Sequence, residues 1–131
     1  MNDNDIVKTM QAKPDLFARK PATESEIKNA ESDLGLHFAC DYKEYLKAFG
    51  AASYFGHELT GICKSTRLNV VDATRSKREY CAGIPQSWYV IEDTGMDDIL
   101  IWQDSNGDVY MTERSSASQK IATSLFEYID K

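Results

Sequence analysis

Residues 87–92, 99–103 and 109–112 form three short runs rich in β-branched and aromatic side chains, each parted from the next by a few turn-forming residues. Strands this close in sequence can pair only as an antiparallel meander, because a parallel crossover needs a dozen or more connecting residues. The second connection, Asp104-Ser105-Asn106-Gly107-Asp108, carries an Asn-Gly pair suited to the positive φ angles of a tight hairpin. Before and after these runs, apolar residues recur at helical spacing. Helices segregated around a block of adjacent strands specify an α+β fold with an antiparallel-dominated sheet.

The helical punctuation is sharpest at Thr23-Glu24-Ser25-Glu26, a capping box in which Thr23 accepts from the Glu26 amide and Glu26 reaches back. Ile27, Ala30 and Leu34 follow on one face, and Gly35 supplies a left-handed C-cap, which predicts a helix over 24–34. Tyr42, Tyr45, Leu46 and Phe49 predict a second amphipathic helix over 41–49, closed by Gly50. A short first helix is expected over 3–11, and a third long one capped by Asn69 and running to about residue 80. A closing helix is expected over 119–129, with Ile121, Ala122, Leu125, Tyr128 and Ile129 inward. Residues 54–62 read as one strand, and the segment around Leu16 and Phe17, between Pro14 and Pro21, reads as a connection.

Length and composition limit the rest. At 131 residues, 42% hydrophobic and 27% charged, the chain is expected to form one domain with a core that needs neither disulfide nor metal. Lys and Arg number 15 against 21 Asp and Glu, a net charge of -6, which argues against a nucleic-acid partner. No apolar run reaches the roughly 20 residues that span a bilayer. Residues 1–10 have neither the basic start nor the apolar stretch of a secretion signal, so cytoplasmic residence is expected. Cys40, Cys63 and Cys81, odd in number and irregular in spacing, read as free thiols.

Three chemical motifs present themselves and fall short. Asp93-Thr94-Gly95 after a strand matches the aspartic-protease triplet, but Glu92 puts a charge where that apolar cradle needs an aliphatic residue, and no Gly-rich flap follows. A turn is the better reading. The run 104–108 suggests a calcium loop, yet Gly107 stands fourth instead of sixth and the twelfth place is Ser115. His37, Cys40, His57, Cys63 and Cys81 include no Cys-x-x-Cys pair, so buried thiols and structural histidines are expected and no metal or cofactor.

One distribution remains. From Glu92 to Glu113 there are seven acidic residues and no Lys or Arg, whereas Lys64, Arg67, Arg75, Lys77 and Arg78 upstream face only Asp72. The expected consequence is an acidic surface on the meander loops, with Glu92, Asp93, Asp97, Asp98, Asp104 and Asp108 as its partner-binding residues. Such a surface suits a basic protein partner and fast, steered association.

The order of motifs resembles a known family. A capped helix ending in Leu-Gly-Leu is followed by Asp-Tyr-Lys-Glu-Tyr-Leu (residues 41–46) and Gly-His-Glu-Leu-Thr-Gly-Ile (56–62). A helix, a strand meander and a closing Ile-Ala-Thr-Ser-Leu-Phe-Glu-Tyr-Ile (121–129) come next. Over residues 22–129 this resembles the SUKH superfamily, which includes bacterial immunity proteins and fungal cell-wall assembly regulators. Members often have a proline where this chain has Phe38-Ala39-Cys40, at the start of the second helix. The resemblance implies a non-catalytic immunity protein that neutralises a protein toxin, often a nuclease, here a basic toxin domain encoded nearby. The alternative is a regulatory or scaffold module without a toxin partner, and an aspartic protease ranks third. No catalytic residues carry over.

Overall fold

A computed structural model describes residues 4–81, 83–113 and 117–130. Among them are five helices and two antiparallel sheets. In chain order they are α1 (Asn4–Gln11), β1 (Phe17–Ala18), α2 (Glu24–Leu34), α3 (Cys40–Phe49), β2 (Ala52–Tyr54), β3 (His57–Glu58), α4 (Val70–Arg78), β4 (Tyr89–Asp93), β5 (Leu100–Gln103), β6 (Val109–Thr112), β7 (Gln119–Ala122) and α5 (Leu125–Asp130). The sheets run β1-β2-β3 and β4-β5-β6-β7. Among the described residues, an antiparallel bridge from Leu59, just after β3, to Glu92 of β4 joins them. The class is the expected α+β, and the meander lies where the three runs placed it. The expected start of α1 at Asp3 lies outside the described residues. Among the described residues, no helix is long and apolar enough to cross a membrane.

Two layers of side chains grip the four-stranded sheet. Tyr89, Ile91, Ile101 and Val109 point to the main core, which α1, α3 and α5 cover with Ile6, Met10, Tyr42, Leu46, Leu125 and Ile129. Val90, Leu100 and Trp102 point to the opposite face, where Ala73 of α4 and Trp88 close a smaller core. Period-2 alternation thus buries both faces of β4 and β5.

The family-like motifs are mostly carpentry. Tyr42 and Tyr45, one helical turn apart on α3, both reach Thr60: the Tyr42 hydroxyl lies 2.9 Å from Thr60 Oγ1, and Tyr45 donates to the Thr60 carbonyl at 2.8 Å. Thr60 in turn donates to the Val90 carbonyl at 2.7 Å, tying helix, loop and sheet together. A Cβ on Gly61 would collide with the Gly50 carbonyl and Ala51, so only glycine lets these backbones meet. Asp41, 2% exposed, crosses to the far end of the chain, where its Oδ2 accepts the Leu125 amide at 2.6 Å and the Phe126 amide at 3.3 Å.

α2 has the boundaries its capping box dictates, with both reciprocal hydrogen bonds formed and Gly35 left-handed at φ 67°. Thr23→Ala should therefore lower stability by about 1 kcal/mol. An unchanged denaturation midpoint would show that the cap contributes nothing.

Four local expectations need correction. Residues 54–62 are not one strand but the β2–β3 hairpin and the bridge that follows, because Phe55 and Gly56 take positive φ angles of 45° and 81° and turn the chain. Residues 119–122 are not helical. They pair with β6 as β7, and α5 begins only at Leu125, where Ser124 Oγ accepts the Glu127 amide at 3.0 Å. Phe17 and Ala18, expected in a connection, form an edge strand on β2. Finally, Gly107 alone adopts positive φ in the β5–β6 loop. Asn106 does not, and the Asp104 carboxylate organises the turn by accepting the Asn106 and Asp108 amides.

Candidate partner-binding surface

The meander's register decides which acidic residues can act together. β4 and β5 pair from Tyr89 opposite Gln103 to Asp93 opposite Leu100, so the β4–β5 loop sits at one end of the sheet and the β5–β6 loop at the other. Asp93, Asp97 and Asp98 belong to the first end, with Glu113 following β6 nearby. Asp104 and Asp108 belong to the second, a β5 length of about 13 Å away. The six residues therefore do not form one continuous acidic face.

At the first end the loop is tightly built. Asp93 Oδ1 accepts the Gly95 amide at 3.0 Å, and Thr94 Oγ1 donates to the Ile99 carbonyl at 2.9 Å. These bonds make Asp93-Thr94-Gly95 the turn it was read as. Asp97 and Asp98 follow in the left-handed region at φ 51° and 57°, a conformation that aspartate tolerates, and both are exposed. Beside them lies a groove of about 270 Å³ lined by Lys77, Tyr80, Cys81, Asp93, Asp98 and Leu100. Lys77 pairs with Asp93 at 3.3 Å and lies over the Tyr80 ring at 5.7 Å. Tyr80 is 76% exposed, and Met96 at the loop tip 65%. An aromatic ring and a flexible thioether beside carboxylates form the kind of patch that protein partners cover.

At the second end the carboxylates are more heavily engaged. Asp104 also accepts from the Tyr110 hydroxyl at 3.1 Å, and Asp108 pairs with Lys120 at 3.1 Å. Tyr110 is pushed up to about 12, by its loss of solvent first and then by Asp104.

Glu92 belongs to neither end. A bulge between Val90 and Glu92 breaks the β4–β5 register. Glu92 is 3% exposed, its carboxylate facing the β2–β3 hairpin and α5. Oε2 lies 2.9 Å from His57 Nδ1, and Oε1 accepts from the Tyr128 hydroxyl. The Tyr54 ring stacks on His57 with centroids 5.1 Å apart, and Lys13 Nζ lies over the same Tyr54 ring, 5.1 Å from its centroid. Burial, with Glu92 second, pushes Tyr54 up to about 12. The cluster spans residues 13 to 128, so spacing could not reveal it; its one local trace was a charge ending the apolar run Tyr-Val-Ile.

None of the three thiols is buried as expected: Cys40 is exposed at the start of α3, and Cys63 and Cys81 are half-buried. His37 is likewise out in solvent, its side chain 87% exposed. Among the described residues, no three His, Cys, Asp or Glu side chains converge as a metal site would require.

The fold order and the Tyr42–Thr60–Gly61 framework are the features on which the resemblance rested. A SUKH family model, described as SMI1-KNR4 cell-wall, matches residues 3–131. No curated protein matches the chain. By a match over nearly its whole length, the chain belongs to the SUKH superfamily.

Proposed function

We propose that this chain is an immunity protein, which binds a basic toxin domain and blocks it stoichiometrically without catalysis. The superfamily is in general non-catalytic and is consistent with an immunity or regulatory module. The observation that carries the toxin reading is the β4–β5 end of the meander, where exposed Asp97 and Asp98 flank Met96 and the Tyr80 groove. Carboxylates at the rim attract and orient a cationic cleft, and the apolar centre supplies the short-range contact. A regulatory or scaffold module is the second reading, favoured by the cell-wall description of the matching family.

The two acidic ends make the reading testable. Asp97→Asn with Asp98→Asn should slow association with the neighbouring toxin domain by about tenfold at low salt and much less at high salt, since screening beyond about 10 Å sets in at 0.1 M. Asp104→Asn with Asp108→Asn should change the rate little. Equal rates for all three proteins in stopped-flow mixing would remove the β4–β5 end from the interface.

A further inference from the structure

Two of the large exposed apolar side chains, Phe17 and Phe55, belong to the three-stranded sheet and its β2–β3 turn. Phe17 is 62% exposed and Phe55 61%. Phe17 stands opposite Ser53 on β2, and Phe55 follows that strand in the β2–β3 turn. Phe55 is also strained. It occupies the first turn position of the β2–β3 hairpin at φ 45°, where glycine, asparagine or aspartate would fit and a bulky side chain is an outlier. Asp15 holds it there by accepting the Phe55 amide at 2.8 Å. Strain kept at an exposed aromatic points to a use outside the fold.

The same edge continues into positive charge. Arg19, which follows β1 and lines a small groove with Phe17 and Glu58, also lines a groove of about 410 Å³ with Lys20, Lys64, Pro21 and Ile62. The larger groove's one carboxylate, Glu26, accepts the Thr23 amide in the capping box. Arg19, Lys20 and Lys64 form no ion pair among the described residues, and the nearby Glu58, on which Arg19 also acts, is already paired with Arg67.

We propose that the β1 edge, from Phe55 and Phe17 to Arg19, Lys20 and Lys64, is a second docking surface, and that it takes an acidic, leucine-rich type of segment from a partner protein. The inference is independent of the toxin reading, because its charge is opposite to that of the Asp97–Asp98 end and its partner differs. Charge complementarity selects the occupant. A symmetric second copy would bring two like-charged edges together. A nucleic acid would meet three cations on a protein of net charge -6.

The test is amide NMR of the full chain titrated at low salt with a synthetic peptide of alternating Glu and Leu. Saturable shifts should map to Phe17, Arg19, Lys20, Phe55 and Lys64. The triple variant Arg19→Glu, Lys20→Glu, Lys64→Glu should weaken the peptide by about tenfold or more. Phe55→Gly should weaken it severalfold while raising the thermal midpoint by a few degrees, because the turn strain is relieved. That rise separates lost binding from lost folding. Shifts absent from this edge, or unchanged affinity in the triple variant, would overturn the proposal. So would tighter binding of single-stranded DNA than of the peptide at the same edge. Concentration-dependent self-association abolished by the triple variant would overturn it in favour of a second copy.

Discussion

Asp41→Ala should cost about 4 kcal/mol, the sum of two or three buried hydrogen bonds left unmet at roughly 1–3 kcal/mol each. The variant orphans the Leu125 and Phe126 amides at the start of α5 and removes the acceptor 3.2 Å from Gln103 Nε2. Gln103 itself accepts from the Tyr89 hydroxyl at 2.7 Å, and that hydroxyl accepts the Ala39 amide at 2.9 Å, so the damage spreads from α5 to the start of α3. Against a total stability of roughly 5–15 kcal/mol, this is a large fraction. Burial raises the Asp41 carboxyl above its ordinary range, while its Leu125 and Gln103 donors pull it down. The folded protein therefore holds this proton more tightly than the unfolded chain does. That stabilisation is complete below the unfolded value of about 3.9 and is lost as pH rises through the raised folded value. Urea midpoints across the acid range should show the slope in the wild type and not in Asp41→Asn. A midpoint for Asp41→Ala equal to that of the wild type would show that α5 does not depend on this cap.

Glu92→Ala should cost about 3 kcal/mol, because Tyr128 loses its buried acceptor and His57 its carboxylate. Glu92→Gln retains an acceptor for Tyr128 and should recover more than half of the loss. Both comparisons need equal denaturant slopes, so that the midpoints report stability alone. A Glu92→Ala protein as stable as the wild type, but slow to bind the toxin domain, would return Glu92 to the interface.

What could be read from sequence was the locally encoded part. The capping box, Gly35 and the periodicity of Ile27, Ala30 and Leu34 fix α2 within a dozen residues, and no distant contact competes with them. The meander was readable because its strands are adjacent in the chain. β7 was not. Ile121 and Ala122 sit at helical spacing from Leu125, and only the open edge of β6 makes them a strand. The β2–β3 hairpin hid for a different reason, since its turn uses Phe55 where the usual signal would be Asn or Gly. The acidic stretch was visible as composition, but its division into two ends follows from the β5 register. The burial of Glu92 follows from a bulge and from His57 and Tyr128, which approach from elsewhere in the chain.

The central claim is stoichiometric blocking of a toxin by binding, and one titration tests it most directly. The neighbouring toxin domain, at a concentration well above the dissociation constant, is assayed for its own activity while this protein is added in steps. The account predicts a linear fall that reaches zero at one molecule per toxin and returns to full activity when the complex is separated in high salt and the toxin recovered. Full toxin activity at saturating protein would contradict it, and so would permanent loss of toxin activity at far less than one equivalent, which would mark an enzyme.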